Sequence, residues 1–336
     1  MIRAPAFWNR DGILAHALSP FAAIIGRIAS RRAARPGWRS PVPVLCCGNA
    51  TVGGAGKTTV ARDLVRRLQA RGLSVHVLSR GYGGSARGPR RVMAGDTVAV
   101  TGDEALLLAA DAPTWTGADR AASARAAIAA GADVIVMDDG LQNASLDKTM
   151  SLLIVDAATG FGNGRVLPAG PLREPVASAA ARCRAAILIG PARAPVSPFL
   201  PARLRVLRAR LEQGENVSTL VGQRVVAFTG IAFPAKFFDG LAAAGVDLAD
   251  RLPFPDHHVF SASDRAMLRE RARSMDAILV TTPKDAVRLP PDIQVSVVDV
   301  SLVWENTPEI EALLDELMSG AIGHSRSSPV HGMSRS

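Results

Sequence analysis

Residues 48–59 read GNATVGGAGKTT, after the apolar run Pro41–Cys47 and before the helix-forming segment VARDLVRRLQARG. Strand, glycine-rich turn and helix, in that order, form the setting a phosphate-binding loop requires. Gly53, Gly54 and Gly56 let the backbone curl until several N–H groups converge on one anion. The helix beginning near Lys57 aims its positive end at the same point. Thr51, Val52 and Ala55 complete the loop, Lys57 supplies a mobile charge for the outer phosphates, and the Thr58 hydroxyl is placed for Mg²⁺. The usual pattern, G-x-x-x-x-G-K-[ST], has a glycine where this chain has Thr51, which restricts the first turn without removing a donor.

A second constellation reinforces the first. In DVIVMDDGLQ, residues 133–142, the apolar run Val134–Met137 ends in Asp138 and Asp139. A short apolar run suits a buried parallel strand. Carboxylates at the C-terminal end of such a strand, beside a phosphate-binding loop, are placed to hold Mg²⁺ directly or through water. Alone, an Asp-Gly turn after a strand says little. Together the two motifs make nucleotide-dependent phosphoryl transfer the leading chemistry.

The elements that position these groups read as alternating strands and helices. Strands are expected at Ser74–Ser79, Ser151–Asp156, Ala185–Ile189, Arg224–Thr229, Ala277–Thr281 and Gln294–Val300, with helices at Pro234–Ala244 and Pro308–Met318. The fold class is therefore α/β: a parallel-sheet core of P-loop NTPase type, a smaller C-terminal α/β domain and an N-terminal amphipathic helix. The expected division is an N-terminal segment over 1–40, a P-loop core over 41–210, a second domain over 211–319 and a disordered tail over 320–336. Residues 192–215, Pro-rich and then Arg-rich, read as the connection between domains. Two loops stand out. RGYGGSARGPRR, Arg80–Arg91, suits an anionic ligand. GFGNGRVLPAGPLREP, Gly160–Pro175, is long enough without secondary structure to suggest function.

The chain has 336 residues, 48% hydrophobic and 4% aromatic, with a formal net charge of +9. The basic surplus admits nucleic acid, an anionic membrane or a polyanionic substrate. No run interleaves basic and aromatic residues as single-strand binders do, so nucleic acid is the weakest of these. Cys46, Cys47 and Cys183 follow no metal spacing and read as small core residues in a reducing compartment. In residues 12–29, Leu14, Leu18, Phe21, Ile25 and Ile28 recur at helical spacing between flanking arginines. The uncharged stretch is short against the roughly 20 residues of a spanning helix, and Pro20 is expected to kink it or to restart it. An interfacial helix, stripe in the lipid boundary and arginines on headgroups, is preferred to one packed on its own domain.

Taken together the chain resembles the tetraacyldisaccharide 4'-kinase family of lipid A biosynthesis. The pieces GNATVGGAGKT, SRGYGG, TGDEALL, DDGLQ, GNGRVLPAGPLREP, FPDHHVF and TPKDAV occur in the family's order across residues 44–288. Thr51 matches too, since the family's loop reads NxTVGGxGKT. The resemblance implies an ATP- and Mg²⁺-dependent kinase acting on the 4'-hydroxyl of a tetraacylated glucosamine disaccharide 1-phosphate. It further implies a monomer working at the cytoplasmic face of the inner membrane, peripheral or monotopic, with no nucleic-acid partner. By motif match Asp103 is the general base, His257 its partner, and Asp138, Asp139 and Glu174 lie near Mg²⁺. Leu141 and Asn143 depart from the family's DDGFQH and put a polar contact at 143 in doubt. Two other classes fit less well. A dimeric deviant P-loop ATPase carries a signature lysine where this chain has Val52. A nucleotide-regulated membrane adaptor leaves Asp103, the DHH piece and the arginine-rich loops without a purpose.

Overall fold

The computed structural model describes residues 5–325. After a short 3-10 turn the chain runs α1 (Ile13–Ala33), β1 (Val44–Gly48), α2 (Lys57–Ala70), β2 (Val75–Ser79), β3 (Arg90–Arg91), α3 (Val98–Thr101) and α4 (Asp103–Ala109). It continues through β4 (Thr114–Thr116), α5 (Arg120–Ala129), β5 (Val134–Asp138), β6 (Met150–Asp156), α6 (Val176–Ala181), β7 (Ala185–Ile189) and β8 (Arg205–Gln213). Then follow β9 (Arg224–Thr229), α7 (Pro234–Ala243), β10 (Asp247–Pro253), α8 (Ala262–Ser274) and β11 (Ile278–Thr281). The chain closes with α9 (Pro283–Ala286), β12 (Ser296–Val297), β13 (Val300–Trp304) and α10 (Thr307–Ser325).

The strands form a nine-stranded sheet, β13-β8-β7-β6-β1-β5-β2-β4-β3, and a four-stranded sheet, β10-β9-β11-β12. In the larger sheet β8 to β4 are parallel, and β13 and β3 join antiparallel at the edges. Strands β1, β5, β6 and β7 are buried throughout. That is why they read as continuous apolar runs rather than alternating ones. Cys47, Leu45 and Val136 point to one core with α2 and α10, while Cys46, Val44 and Ile135 point to the other with α5 and α6. The smaller sheet is parallel, with α7 and α8 covering its two cores.

Three boundaries differ from expectation. Residues 192–215 do not only connect: β8 is a full strand of the larger sheet, its exposed arginines alternating with buried Leu207 and Ala209. The second unit ends before Val300, because β13 pairs antiparallel with β8 and α10 packs Ile310, Leu313, Leu314 and Leu317 on the larger sheet. The chain thus leaves and re-enters the larger unit side by side, with Val300 opposite Gln213. Arg62 of α2 braces that junction, bonding Asp111 at 2.5 Å and Asp299 at 2.9 Å. Finally, the last helix runs to Ser325, into the stretch expected to be a tail; residues 326–336 of that expected tail lie outside the described residues.

Helix α1 continues through Pro20 without interruption. Its small residues Ala15, Ala22 and Gly26 face the protein, and a Cβ on Gly26 would meet Pro175 and Val166 at 3.4 Å. The larger residues Ile13, Leu14, Phe21, Ile24, Ile25 and Ile28 are exposed. The apolar stripe therefore faces outward, and the contact with the protein is made by the small-residue side. By length and composition this helix is long and apolar enough to cross a membrane.

Candidate active site

The phosphate-binding loop joins β1 to α2 at the C-terminal edge of the larger sheet, where crevices of parallel sheets bind ligands. Gly53 (φ 107°) and Gly56 (φ 81°) adopt the left-handed backbone that favours glycine. A Cβ on Gly56 would also approach Ile189 to 2.8 Å. Thr51 needs no such freedom. It forms a bridge with Leu172 of the 160–175 loop and accepts a bond from the Asn49 amide at 3.2 Å. The same loop holds the turn at Val52, whose N–H donates to Pro171 at 2.8 Å.

Lys57 lies 3.7 Å from Asp139, and the Thr58 hydroxyl donates to Asp138 Oδ2 at 3.1 Å. Arg173 donates to Asp139 Oδ1 at 2.8 Å. Burial pushes the Asp138 carboxyl up to about 7, reinforced by the charge of Glu104 and opposed by Lys57 and Thr58. Asp139 is held below the usual range: burial raises it, but Lys57 and Arg173 outweigh that cost. Oδ1 of Asp138 is buried and has no hydrogen-bond partner among the described residues. A buried, unsatisfied carboxylate oxygen beside a threonine hydroxyl fits a hard cation. Among the described residues no cluster of three or more His, Cys, Asp and Glu side chains is arranged to hold a metal. A Mg²⁺ here would therefore rest on Thr58 and Asp138 and complete its shell with phosphate and water oxygens.

Glu174 is not part of this group. Its side chain is fully buried, and Arg182 grips both oxygens at 2.7 and 2.8 Å while Gln142 donates to one at 3.0 Å. It stands behind the site, fixing Gln142, which also donates to the Asn49 carbonyl at 2.9 Å. The departures at 141 and 143 are local. Leu141 is core, with its Cβ where a Cβ on Gly48 would come within 2.5 Å. Asn143 closes a turn, accepting from Ser145 N–H and hydroxyl.

Asp103 begins α4, directly after Gly102 (φ 83°), whose Cβ position is blocked by the Tyr82 carbonyl at 2.4 Å. Across the junction His257 Nδ1 lies 2.7 Å from Asp103 Oδ2. Arg288 Nε and Nη2 reach the same oxygen at 3.0 and 2.9 Å. Oδ1 takes the Glu104 N–H at 2.9 Å. Burial raises this carboxyl, yet His257, Lys284 and Arg288 together hold it down to about 2. Lys284 Nζ lies 3.3 Å from His257 Nε2. An ammonium can only donate, so the network puts the imidazole proton on Nδ1, toward Asp103. Asp139 (φ 49°) and His257 (φ 58°) are two non-glycine residues in left-handed backbone, both at the site, where such strain concentrates.

The structure thus gathers Lys57, Thr58, Asp138 and Asp139 in one cluster and Asp103 with His257 in another, and leaves Glu174 out. Sequence reasoning gave no role to Arg288 or to Asp285. Asp285, fully buried, accepts from Thr229, Gly230 N–H, Thr282 and Arg288 and so fixes Arg288 in place. Its signal was the acid and base at i and i+3 in the TPKDAVR segment. Arg120 was also passed over. It is 2% exposed, and burial pushes its guanidinium down to about 10, opposed first by the Asp138 charge.

The profile of the tetraacyldisaccharide-1-P 4'-kinase family matches residues 14–319. A tetraacyldisaccharide 4'-kinase of Gluconacetobacter diazotrophicus is 56% identical over 319 residues, covering 94% of this chain and 98% of that protein. The Gluconobacter oxydans counterpart is 50% identical, covering 95% and 99%. A crystal structure of LpxK from Aquifex aeolicus, described as an "apo" form in complex with ATP, superposes with a TM-score of 0.74 at 24% identity. It covers 91% of this chain and 100% of that one, and it shows the shared fold.

Proposed function

The chain belongs to the tetraacyldisaccharide-1-P 4'-kinase family, and on that premise we propose how its residues divide the work of phosphorylating a lipid A precursor. It is an ATP-dependent kinase whose acceptor is the 4'-hydroxyl of an acylated disaccharide phosphate. The observation that carries the division of roles is the Asp103–His257 bond, set across a junction from the Lys57–Thr58–Asp138 cluster.

Lys57 and the loop N–H groups offset charge on the phosphoryl group in transfer, in a site where water screens little. Thr58 and Asp138, with Asp139 held by Lys57 and Arg173 beside them, are the positions for Mg²⁺. The ion, when bound, draws negative charge from the phosphate oxygens. A sugar hydroxyl is a poor nucleophile at neutral pH and needs an oriented proton acceptor. Asp103 is ionised there, and its Oδ1, engaged only by one backbone N–H in the described contacts, is the oxygen assigned to the hydroxyl. So acidic a carboxyl is a weak base. Phosphoryl transfer with a loose transition state moves the proton late, so orientation counts for more than base strength. His257 and Arg288 fix the other oxygen and hold the carboxylate's angle.

The outward stripe of α1 and the arginines at 27, 31 and 32 support a lipid surface as partner. An acylated substrate stays in a bilayer, so the enzyme works at that surface. We assign α1 to the interface of the inner membrane at its cytoplasmic face, where anionic headgroups meet arginine. The activity test is incubation with Mg-ATP and a disaccharide lipid A precursor. A phosphate gained on the 4'-hydroxyl is expected, and no gain by the full chain in detergent or vesicles refutes the reading.

A further inference from the structure

Resting on the kinase reading, one feature outside the catalytic clusters has no assigned use: Phe233, Lys236 and Asp156, where the second unit meets the phosphate-binding loop. Phe233 is 42% exposed and belongs to neither hydrophobic core of its unit. It is the residue before α7. The neighbouring Ala232 puts its Cβ 3.8 Å from where a Cβ on Gly54 would stand. An exposed ring is thus held at the rim of the loop.

Its surroundings are built rather than incidental. Lys236 Nζ lies 5.2 Å from the Phe233 ring centroid, covering the ring from one side. The same ammonium donates to Asp156 Oδ2 at 2.7 Å. Asp156 ends β6 and its side chain is 7% exposed. Its other oxygen accepts the Ala158 N–H at 2.9 Å. A buried carboxylate of the larger unit therefore fixes the cation that backs a ring of the smaller one.

The direction in which a nucleotide must lie follows from the sheet order. Asp138 and Asp139 end β5 on one side of β1, and Lys57 and Arg173 converge on Asp139 there, marking the outer-phosphate end. Asp156 and Ile189 end β6 and β7 on the other side of β1, and a Cβ on Gly56 would come within 2.8 Å of Ile189. A triphosphate whose outer end sits by β5 sends its nucleoside toward β6 and β7, the edge where Phe233 stands.

We propose that Phe233 is the stacking platform for the nucleotide base, with Lys236 and Asp156 as positioning residues that hold the ring face open to the cleft. Stacking reads a π-face, and a phosphate chain has none. The clamp therefore separates ATP from inorganic tripolyphosphate, which uses the loop alone.

The test is equilibrium binding of Mg-ATP and of magnesium tripolyphosphate to the full chain. Phe233→Ala is expected to weaken Mg-ATP about tenfold and to leave tripolyphosphate unchanged, and Phe233→Trp to restore ATP affinity. Lys236→Met is expected to give a smaller loss, and none further when added to Phe233→Ala, because the two act as one unit. Equal weakening of both ligands overturns the clamp, since that is damage to the loop. So does unchanged ATP affinity in Phe233→Ala, or a loss confined to the KM of the lipid acceptor. If the unaltered chain bound neither ligand, the kinase reading itself would fall, a result distinct from each of these.

Discussion

His257 Nδ1 sits 2.7 Å from Asp103 Oδ2, and this bond ties the second unit to the helix beside the phosphate-binding loop. Arg288, on the second unit as well, bonds the same oxygen. One carboxylate is therefore both the assigned acceptor for the substrate proton and the anchor of the junction. Groups that act as a unit give non-additive losses. Asp103→Ala is expected to lower kcat by about 10²- to 10⁴-fold, and His257→Ala by less. The double variant is expected to be no worse than Asp103→Ala alone. Single-turnover rates of the three variants check this, and strictly multiplicative losses would separate the two residues.

The same carboxylate makes the junction sensitive to acid. Its folded value, about 2, is below the unfolded value of 3.8. A depressed acid contributes stability that is present above the unfolded pKa and lost as pH falls through the folded one. The contribution is on the order of 2 kcal/mol, full above about pH 4 and gone near pH 2. Melting curves of the native chain and of Asp103→Asn are expected to differ at pH 7 and to converge over that window. A gap that persists at pH 2 contradicts this origin.

Glu174 offers a sharper contrast. As a metal ligand its loss would raise the Mg²⁺ concentration needed for activity. As the buried partner of Arg182 its loss strands a charge, typically costing about 3–5 kcal/mol. Glu174→Gln is expected to lower the melting temperature while leaving the Mg²⁺ half-saturation within about twofold. A large shift in Mg²⁺ dependence in a variant of native stability would return Glu174 to the metal.

Much of this architecture was legible because the relevant signals are local. Arg224–Thr229 and Ala185–Ile189 form strands over the expected residues, since runs buried on both faces have no competing pattern. The loop over 53–58 was legible because its glycines are required by backbone geometry. What escaped was non-local. Strand β8 looks like an arginine-rich linker because only alternate side chains are buried, and its partner β13 arrives nearly a hundred residues later. The pairing of Glu174 with Arg182, eight residues further on, was not legible, because which base answers a buried acid cannot be read from one motif. The stripe of α1 was found, but which side of the helix meets the protein depends on small residues whose spacing carries little hydrophobic signal.

That outward stripe leads to a test at the membrane. Phe21, Ile24, Ile25 and Ile28 are 43–62% exposed, and Arg31 and Arg32 lie in the last turn of the helix. Apolar insertion is insensitive to screening, whereas attraction between arginine and anionic headgroups weakens as the Debye length shrinks. The full chain is expected to float with anionic vesicles at low salt and to be partly released at high salt. Replacing Phe21, Ile24, Ile25 and Ile28 with serine is expected to abolish flotation, and it leaves intact the small-residue face that packs on Val166 and Pro175. Removing the arginine charges at 27, 31 and 32 is expected to erase only the salt-sensitive part. Resistance to both high salt and alkaline carbonate would instead mark a spanning helix, which its length of 21 residues permits. If the serine variant floated like the native chain, α1 would not be the membrane contact.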